Sequence, residues 1–250
     1  MRYFVRLSFD GSAYHGWQIQ PNAVTVQQKL DESLTTLLRT PIQTVGAGRT
    51  DAGVNAHCMV AHFDHHAADE KELNTTDLTF KLNRILPRDI AVQRVIRVAD
   101  DAHARFDARS RTYRYWVYRE KSPFLRYYAT RLNFPVDFEL MNQAARLLLE
   151  TRDFTSFSKL HTDVKTNICK VTQAQWTSVD GNLWQFEITA DRFLRNMVRS
   201  VVGTLVDVGR GRISLEEFAR VIQAKDRCAA GESMPGNALS LWDITYDFEI

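Results

Sequence analysis

What this chain lacks narrows it first. It holds only three cysteines in 250 residues, Cys58, Cys169 and Cys228. They are scattered, odd in number and without the spacing of metal ligands, so they read as reduced, mostly buried thiols of a cytoplasmic protein rather than a disulfide framework. No apolar run approaches the roughly 18 residues needed to cross a bilayer, so no membrane partner is expected. Met1 to Asp10 alternates like a strand and carries Arg2 and Arg6, which is not how a signal peptide opens. The P-loop pattern and the Rossmann glycine spacing are both missing. So are His-x-x-x-His, Cys-x-x-Cys and paired-carboxylate motifs, and the sequence calls for no metal and no cofactor. There is no Gly/Ser linker and no convincing internal repeat. A large charge of one sign is missing too: 32 Lys and Arg face 30 Asp and Glu, for a net charge of +2, too mild to identify an anionic partner by itself.

What is present is ordinary in amount and uneven in distribution. Hydrophobic content of 44% and charged content of 25% suit a globular protein with one large core or two smaller ones. Between Arg84 and Arg131 twelve Lys/Arg, eleven of them Arg, stand against five Asp/Glu. A solvated strand face would explain such a run. Arginine in preference to lysine, interleaved with Tyr113, Tyr115, Trp116 and Tyr118, favours planar contacts with phosphates and bases instead.

Periodicity places the elements. Tyr3, Val5, Leu7 and Phe9 predict a half-buried first strand, followed by a loop from Tyr14 to Pro21. Val26, Leu30, Leu34, Leu37 and Leu38 form the stripe of a helix opening at Thr25. Strands are expected over Ile42–Val45, Met59–Phe63 and Ile90–Val98, with a helix over Asp77–Leu86. A long or bent strand should run from Ala104 to Arg119, and Asp137 should cap a helix carrying Leu140, Ala144, Leu147 and Leu148. Ile168–Val179 and Leu183–Thr189 around Asp180-Gly181-Asn182 read as a hairpin. Leu194 to Val208 is a nearly all-apolar helix stopped by Gly209, and Ser214-x-x-Glu217 is a capping box opening another helix. Trp242–Phe248 closes the chain as a strand. The pattern implies an α+β fold of two similar lobes, residues 1–105 and 106–250, sharing a mainly antiparallel sheet with flanking helices and a central cleft.

The most informative run is Gly46-Ala47-Gly48-Arg49-Thr50-Asp51-Ala52-Gly53-Val54. It sets one carboxylate beside a cation and a hydroxyl in a glycine-rich loop between two β-prone segments, where a ligand can approach the backbone closely. An Asp that only bonds its own turn is the competing reading. His62, His65 and His66 cluster nearby, but His65-His66-Ala-Ala-Asp-Glu reads as an exposed loop and not as a metal site. Arg199 lies in an apolar helix, where an unpaired charge is costly. It requires an acid, for which Asp51, Asp207 and Asp243 are the candidates.

Ordered blocks across essentially the whole length then give a resemblance. They are Tyr14-x-Gly16-Trp17-Gln18-x-Gln20, Gly48 to Val54 with His62-Phe63, and Leu86-Pro87-x-Asp89-Ile90. His103-Ala104-Arg105-Phe106, Arg111-x-Tyr113-Arg114-Tyr115, Asp153 to Phe157, and Phe193-Leu194-x-x-Met197-Val198-Arg199-x-x-Val202-Gly203-Thr204-Leu205 complete the set. The chain resembles the tRNA pseudouridine synthase I family, which isomerises uridines 38, 39 and 40 of the tRNA anticodon stem-loop. The resemblance implies that Asp51 is the essential aspartate and that Arg199 pairs with it. It implies that Tyr113 packs on the target uracil, that Arg49 helps displace the base, and that Leu239 walls the base pocket. It also implies a homodimer in which one tRNA spans both subunits. Arg105, Arg109, Arg111 and Arg114 are the phosphate candidates, though on a strand only alternate members share a face. The chain departs from the family at Asn55, at Cys58-Met59, at Asp191-Arg192 and over residues 231–237, a set that can alter which stem positions are accepted. A silent tRNA-binding module and a carboxylate-dependent nucleoside hydrolase are the rival readings.

Overall fold

The alternating first residues form β1 (Arg2–Phe9), with Tyr3, Val5, Leu7 and Phe9 buried. Phe4 on the opposite face is buried as well, because the rings of Tyr246 and Phe248 pack against it at 5.7 and 5.8 Å. The computed structural model describes residues 1–66, 71–159 and 166–250. Residues 67–70, the Ala-Ala-Asp-Glu read as an exposed loop, lie outside the described residues. Contacts divide the chain into two units, residues 1–109 with 241–250, and residues 110–240. The sequence division at 105/106 leaves the last ten residues with the second lobe; their contacts are with the first unit.

In the first unit α1 (Val26–Leu38) is capped by Thr25, whose side chain accepts from the Gln28 N–H, and it buries Val26, Leu30 and Leu34. The strand expected over Ile42–Val45 shrinks to β2 (Val45–Gly46). The cause is local: the Asp31 carboxylate takes the N–H and hydroxyl of Thr44, at 3.0 and 2.6 Å, and the Gln27 amide donates to its carbonyl. Those groups are then unavailable to a ladder. β3 (Asn55–Asp64), α2 (Thr75–Ile85) and β4 (Ile90–Val98) follow. The sheet order here is β4-β1-β3, with β2 on β3 and all pairs antiparallel. α2 packs against β4.

The second unit opens with β5 (Ser110–Tyr118), shorter than the strand expected from Ala104. Residues 103–107 form a turn instead, in which the His103 N–H donates to the Asp107 carboxylate at 2.7 Å and the Asp107 N–H to the His103 carbonyl at 3.1 Å. The two-residue β6 (Thr130–Arg131) pairs parallel with β5. Asp137 caps α3 (Phe138–Glu150) as expected, accepting from the Leu140 N–H at 2.9 Å. The hairpin is β7 (Val171–Ser178) and β8 (Leu183–Ala190), its turn closed by the Asp180 carboxylate on the N–H groups of Asn182 and Leu183. The antiparallel order is β5-β8-β7, and α3 lies on β7.

α4 (Met197–Gly209) is buried on nearly every side, and α5 (Leu215–Ala224) carries the full Ser214–Glu217 capping box. α4 ends at Gly209, where the sequence places the stop, but that glycine is not a left-handed cap. It sits in the last turn, where a Cβ would lie 2.5 Å from the Met141 sulfur, and the left-handed residue past the end is Gly211. β9 (Leu239–Thr245) starts three residues earlier than the sequence suggests, and its residues from Leu241 on belong to the first unit, beside β3. With helices on mainly antiparallel strands, the class is α+β.

Candidate active site

Asp51 lies half-buried in the turn between β2 and β3, and that turn is fixed from both sides. The Ala47 N–H donates to the Val60 carbonyl at 2.8 Å, and the Val54 N–H closes on the Asp51 carbonyl at 3.2 Å. The loop from Tyr14 to Trp17 grips it from outside: the Trp17 N–H donates to the Thr50 carbonyl at 3.3 Å and the Gly53 N–H to the Tyr14 carbonyl at 3.2 Å. Gly16 makes this possible. Its φ is +88°, and a Cβ there would stand 2.3 Å from the Thr50 carbonyl oxygen. Trp17, fully buried, roofs Gly46 and packs on Phe9. The glycine-rich loop is therefore a braced turn. Gly48, central in that run, has open space around it, and the decisive glycine comes from a different segment. Within the sequence, the Tyr14-x-Gly16-Trp17 block was the signal for this support.

Thr50 is buried, and its hydroxyl has no hydrogen-bond partner among the described residues. Arg49 is exposed beside it. Asn55 accepts from the Gly11 N–H at 2.8 Å and so helps close the start of β3. His62 belongs to no exposed cluster: it is buried on β3, and its Nδ1 accepts the Ala104 N–H at 3.1 Å. Burial, with help from the Arg2 and His103 charges, lowers its pKa to about 4, so the ring is neutral.

In the second unit Tyr113 is half-buried on β5, with Phe193 set edge-on against it at 5.0 Å and 82°. That contact keeps one ring face in a fixed plane. The sequence reading gave Phe193 no role, although it opens the last motif block. Arg111 shares the Tyr113 face, opposite Ala190 and Ile188 on β8, and its guanidinium donates to the Asp191 carbonyl at 2.8 Å. Arg114 points to the other face and is held by Glu187 at 2.5 Å. Of the two remaining phosphate candidates, both in the first unit, Arg109 pairs with Asp247, and exposed Arg105 lies over the Phe106 ring at 5.8 Å.

Arg199, on the first turns of α4, donates through Nε to the Met234 carbonyl at 2.6 Å, while the Met234 N–H returns to the Arg199 carbonyl at 3.1 Å. The two alternative acids each have another cation: Asp207 binds Arg212 at 3.1 Å, and Asp243 lies 4.0 Å from Arg6. The segment on which Arg199 leans is the one where the chain departs from the family pattern. Ser233 accepts from Asn196 and Arg227, and the buried Tyr115 hydroxyl donates to the Pro235 carbonyl at 3.0 Å. Leu239 is buried where this segment runs into β9.

A model of the tRNA pseudouridine synthase family matches residues 7–107 and 144–247. This chain belongs to the tRNA pseudouridine synthase family. Among curated family members it is 55% identical to tRNA pseudouridine synthase A of Bacteroides fragilis over 249 residues, covering 100% of this chain and 98% of that protein. It is 57% identical to the synonymous protein of Bacteroides thetaiotaomicron over 251 residues, covering 100% and 92%. Against that of Bacillus subtilis the identity is 41% over 252 residues, covering 99% and 100%. The family is one of isomerases that turn uridine into pseudouridine. Its two matched spans hold Asp51, Arg49, Arg105, Arg199 and Leu239, whereas Tyr113 lies in the stretch between them.

Proposed function

We propose that this chain converts uridine to pseudouridine at positions 38, 39 and 40 of the tRNA anticodon stem-loop, using Asp51 and no cofactor. The observation that carries the reading is the braced turn. A lone carboxylate is presented on backbone that two outside hydrogen bonds hold in place, which is the preorganisation a reacting acid needs. The reaction breaks N1–C1′, turns the uracil and forms C5–C1′; the C5 proton goes to water and N1 takes one up. Electrons and atoms balance without a redox partner or group donor.

The target base is stacked, so it is first turned out, at a cost of a few kcal/mol. Tyr113 then offers it an aromatic face, worth about 1–3 kcal/mol, and Arg49 occupies the space the base leaves. Arg199 keeps the carboxylate ionised and Leu239 walls the base, both on the family's pattern. The same pattern supports a cytoplasmic homodimer with one tRNA across both subunits.

Tritium at uracil C5 of a tRNA transcript tests the reading. Release of tritium to water without free uracil is expected; free uracil would make the chain a hydrolase, and neither product would make it a binding module. Asp51→Ala should keep tRNA binding within about twofold and lose tritium release by at least about a thousandfold, the scale of losing an essential nucleophile or base. Normal turnover by that variant would remove Asp51 from the chemistry.

A further inference from the structure

The last part of the arginine-rich stretch, within the second unit, holds a group of uncompensated charges. Arg109 and Arg114 are each held by an acid, whereas Arg119, Lys121, Arg126 and Arg131 are exposed and form no ion pair among the described residues. These four surround a turn that is built and not loose. Leu125 and Ala129 pack on Tyr118, Leu183 and Trp116, the Ser122 hydroxyl accepts from the Phe124 and Leu125 N–H groups, and the Leu132 N–H donates to the Tyr118 carbonyl at 2.8 Å. Folding the turn this way turns Leu125 and Ala129 inward and leaves its aromatics outside. Phe124 is 80% exposed, Tyr127 65% and Tyr128 45%. Three exposed rings in five residues are an unusual surface for a globular chain. Arg126 lies over the Tyr127 ring at 4.5 Å, which restrains the ring and sets a cation against it.

We propose that the Phe124–Tyr128 turn is a stacking surface for unpaired nucleotides of tRNA; the proposal rests on the RNA-modifying reading above. Exposed rings rimmed by arginine match bases and phosphates together. A second copy of this chain is disfavoured as the occupant, because a two-fold axis through the patch would set four cations against the same four. The nucleotides bound here are not the target. Tyr113 sits five residues before the end of β5, about 17 Å along the strand from the turn, so both rings can be filled only by different nucleotides of one RNA.

The test is the affinity of an unmodified, fluorescein-labelled tRNA transcript for the full chain, measured by anisotropy with the tritium assay alongside. Phe124→Ser with Tyr127→Ser should weaken binding at least about tenfold, one lost stack or more. KM should rise in step, with kcat at saturating tRNA unchanged, while Phe124→Tyr keeps wild-type affinity. Both replaced side chains are exposed, so the melting temperature should hold. An unchanged Kd in the double variant overturns the proposal, as does a halved solution mass with the Kd kept, which would make the patch a self-association surface. A wild-type chain that binds tRNA but releases no tritium would sink the isomerase reading and leave this binding comparison intact.

Discussion

His62 and Asp31 respond to acid in opposite directions, and both follow from burial. Neutral His62 holds the Ala104 N–H, and its pKa is lowered to about 4. The unfolded chain protonates this ring near its ordinary value and the folded chain only near 4. The associated stability is therefore complete above pH 6.5 and is lost as pH falls toward 4, roughly 3 kcal/mol over the window. Asp31, buried against Thr44, is pushed up to about 6. The folded chain takes up that proton first, so acidification through the same window stabilises it. The two effects partly cancel in the wild type. His62→Gln keeps an acceptor for the Ala104 N–H and cannot titrate. Thermal unfolding at pH 7, 6 and 5 should show the variant gaining on the wild type at each step down. A constant gap would mean that folded His62 titrates at its ordinary value. Such residues mark where sequence reading stops: Asp51, the proposed reacting acid, stands out by its neighbours, whereas the contact that takes His62 away from any surface cluster comes from a turn forty residues on.

Elements defined by their own sequence were legible; those defined by a partner were not. The hairpin, the Asp137 cap and the Ser214–Glu217 box are local chemistry, and each formed where the pattern put it. The strand expected from Ala104 failed because His103 and Asp107 close a turn on each other, and Gly209 ends α4 as expected but answers to Met141 rather than to a left-handed cap. The segment 231–237 had no periodicity to read, yet it is a strap across α4. Gly203 is its seat: a Cβ there would stand 1.8 Å from the Glu232 carbonyl oxygen. The next residue holds it too, as the Gly231 N–H donates to the Thr204 hydroxyl at 3.0 Å. Gly203→Ala must lift the strap or bend the helix, and the expected loss is about 1–3 kcal/mol, the usual cost of overpacking. Because Met234 holds Arg199, tritium release should fall further in this variant than stability alone explains, with tRNA affinity kept. Urea unfolding beside the tritium assay separates the two effects; wild-type turnover in the destabilised variant would detach the strap from Arg199.

At the scale of the molecule, a net charge of +2 conceals an arrangement that only the fold reveals. The sequence groups Arg105, Arg109, Arg111 and Arg114 as phosphate candidates, divided only by the alternation of a strand. Folding sorts them by what each one faces. Arg109 is committed to Asp247 in the returning C-terminal segment, and Arg114 to a Glu187 that is itself only 19% exposed. Bringing phosphate to either would displace an acid already in place, so no counterion is gained from the RNA. Arg131 differs: exposed, it donates through Nε to the Arg119 carbonyl at 3.2 Å and keeps its charge uncompensated. Plots of log K against log salt for tRNA should therefore separate these arginines. Arg131→Gln should reduce the slope by about 0.7–0.9, one phosphate contact. Arg109→Gln and Arg114→Gln should leave the slope as it is, and Arg114→Gln should lower stability instead, since Glu187 then loses its cation in a half-buried place. Equal slopes for all three variants would mean that the acids let go when RNA arrives, and that the chain's charge is read by the RNA as the sequence has it and not as the fold has sorted it.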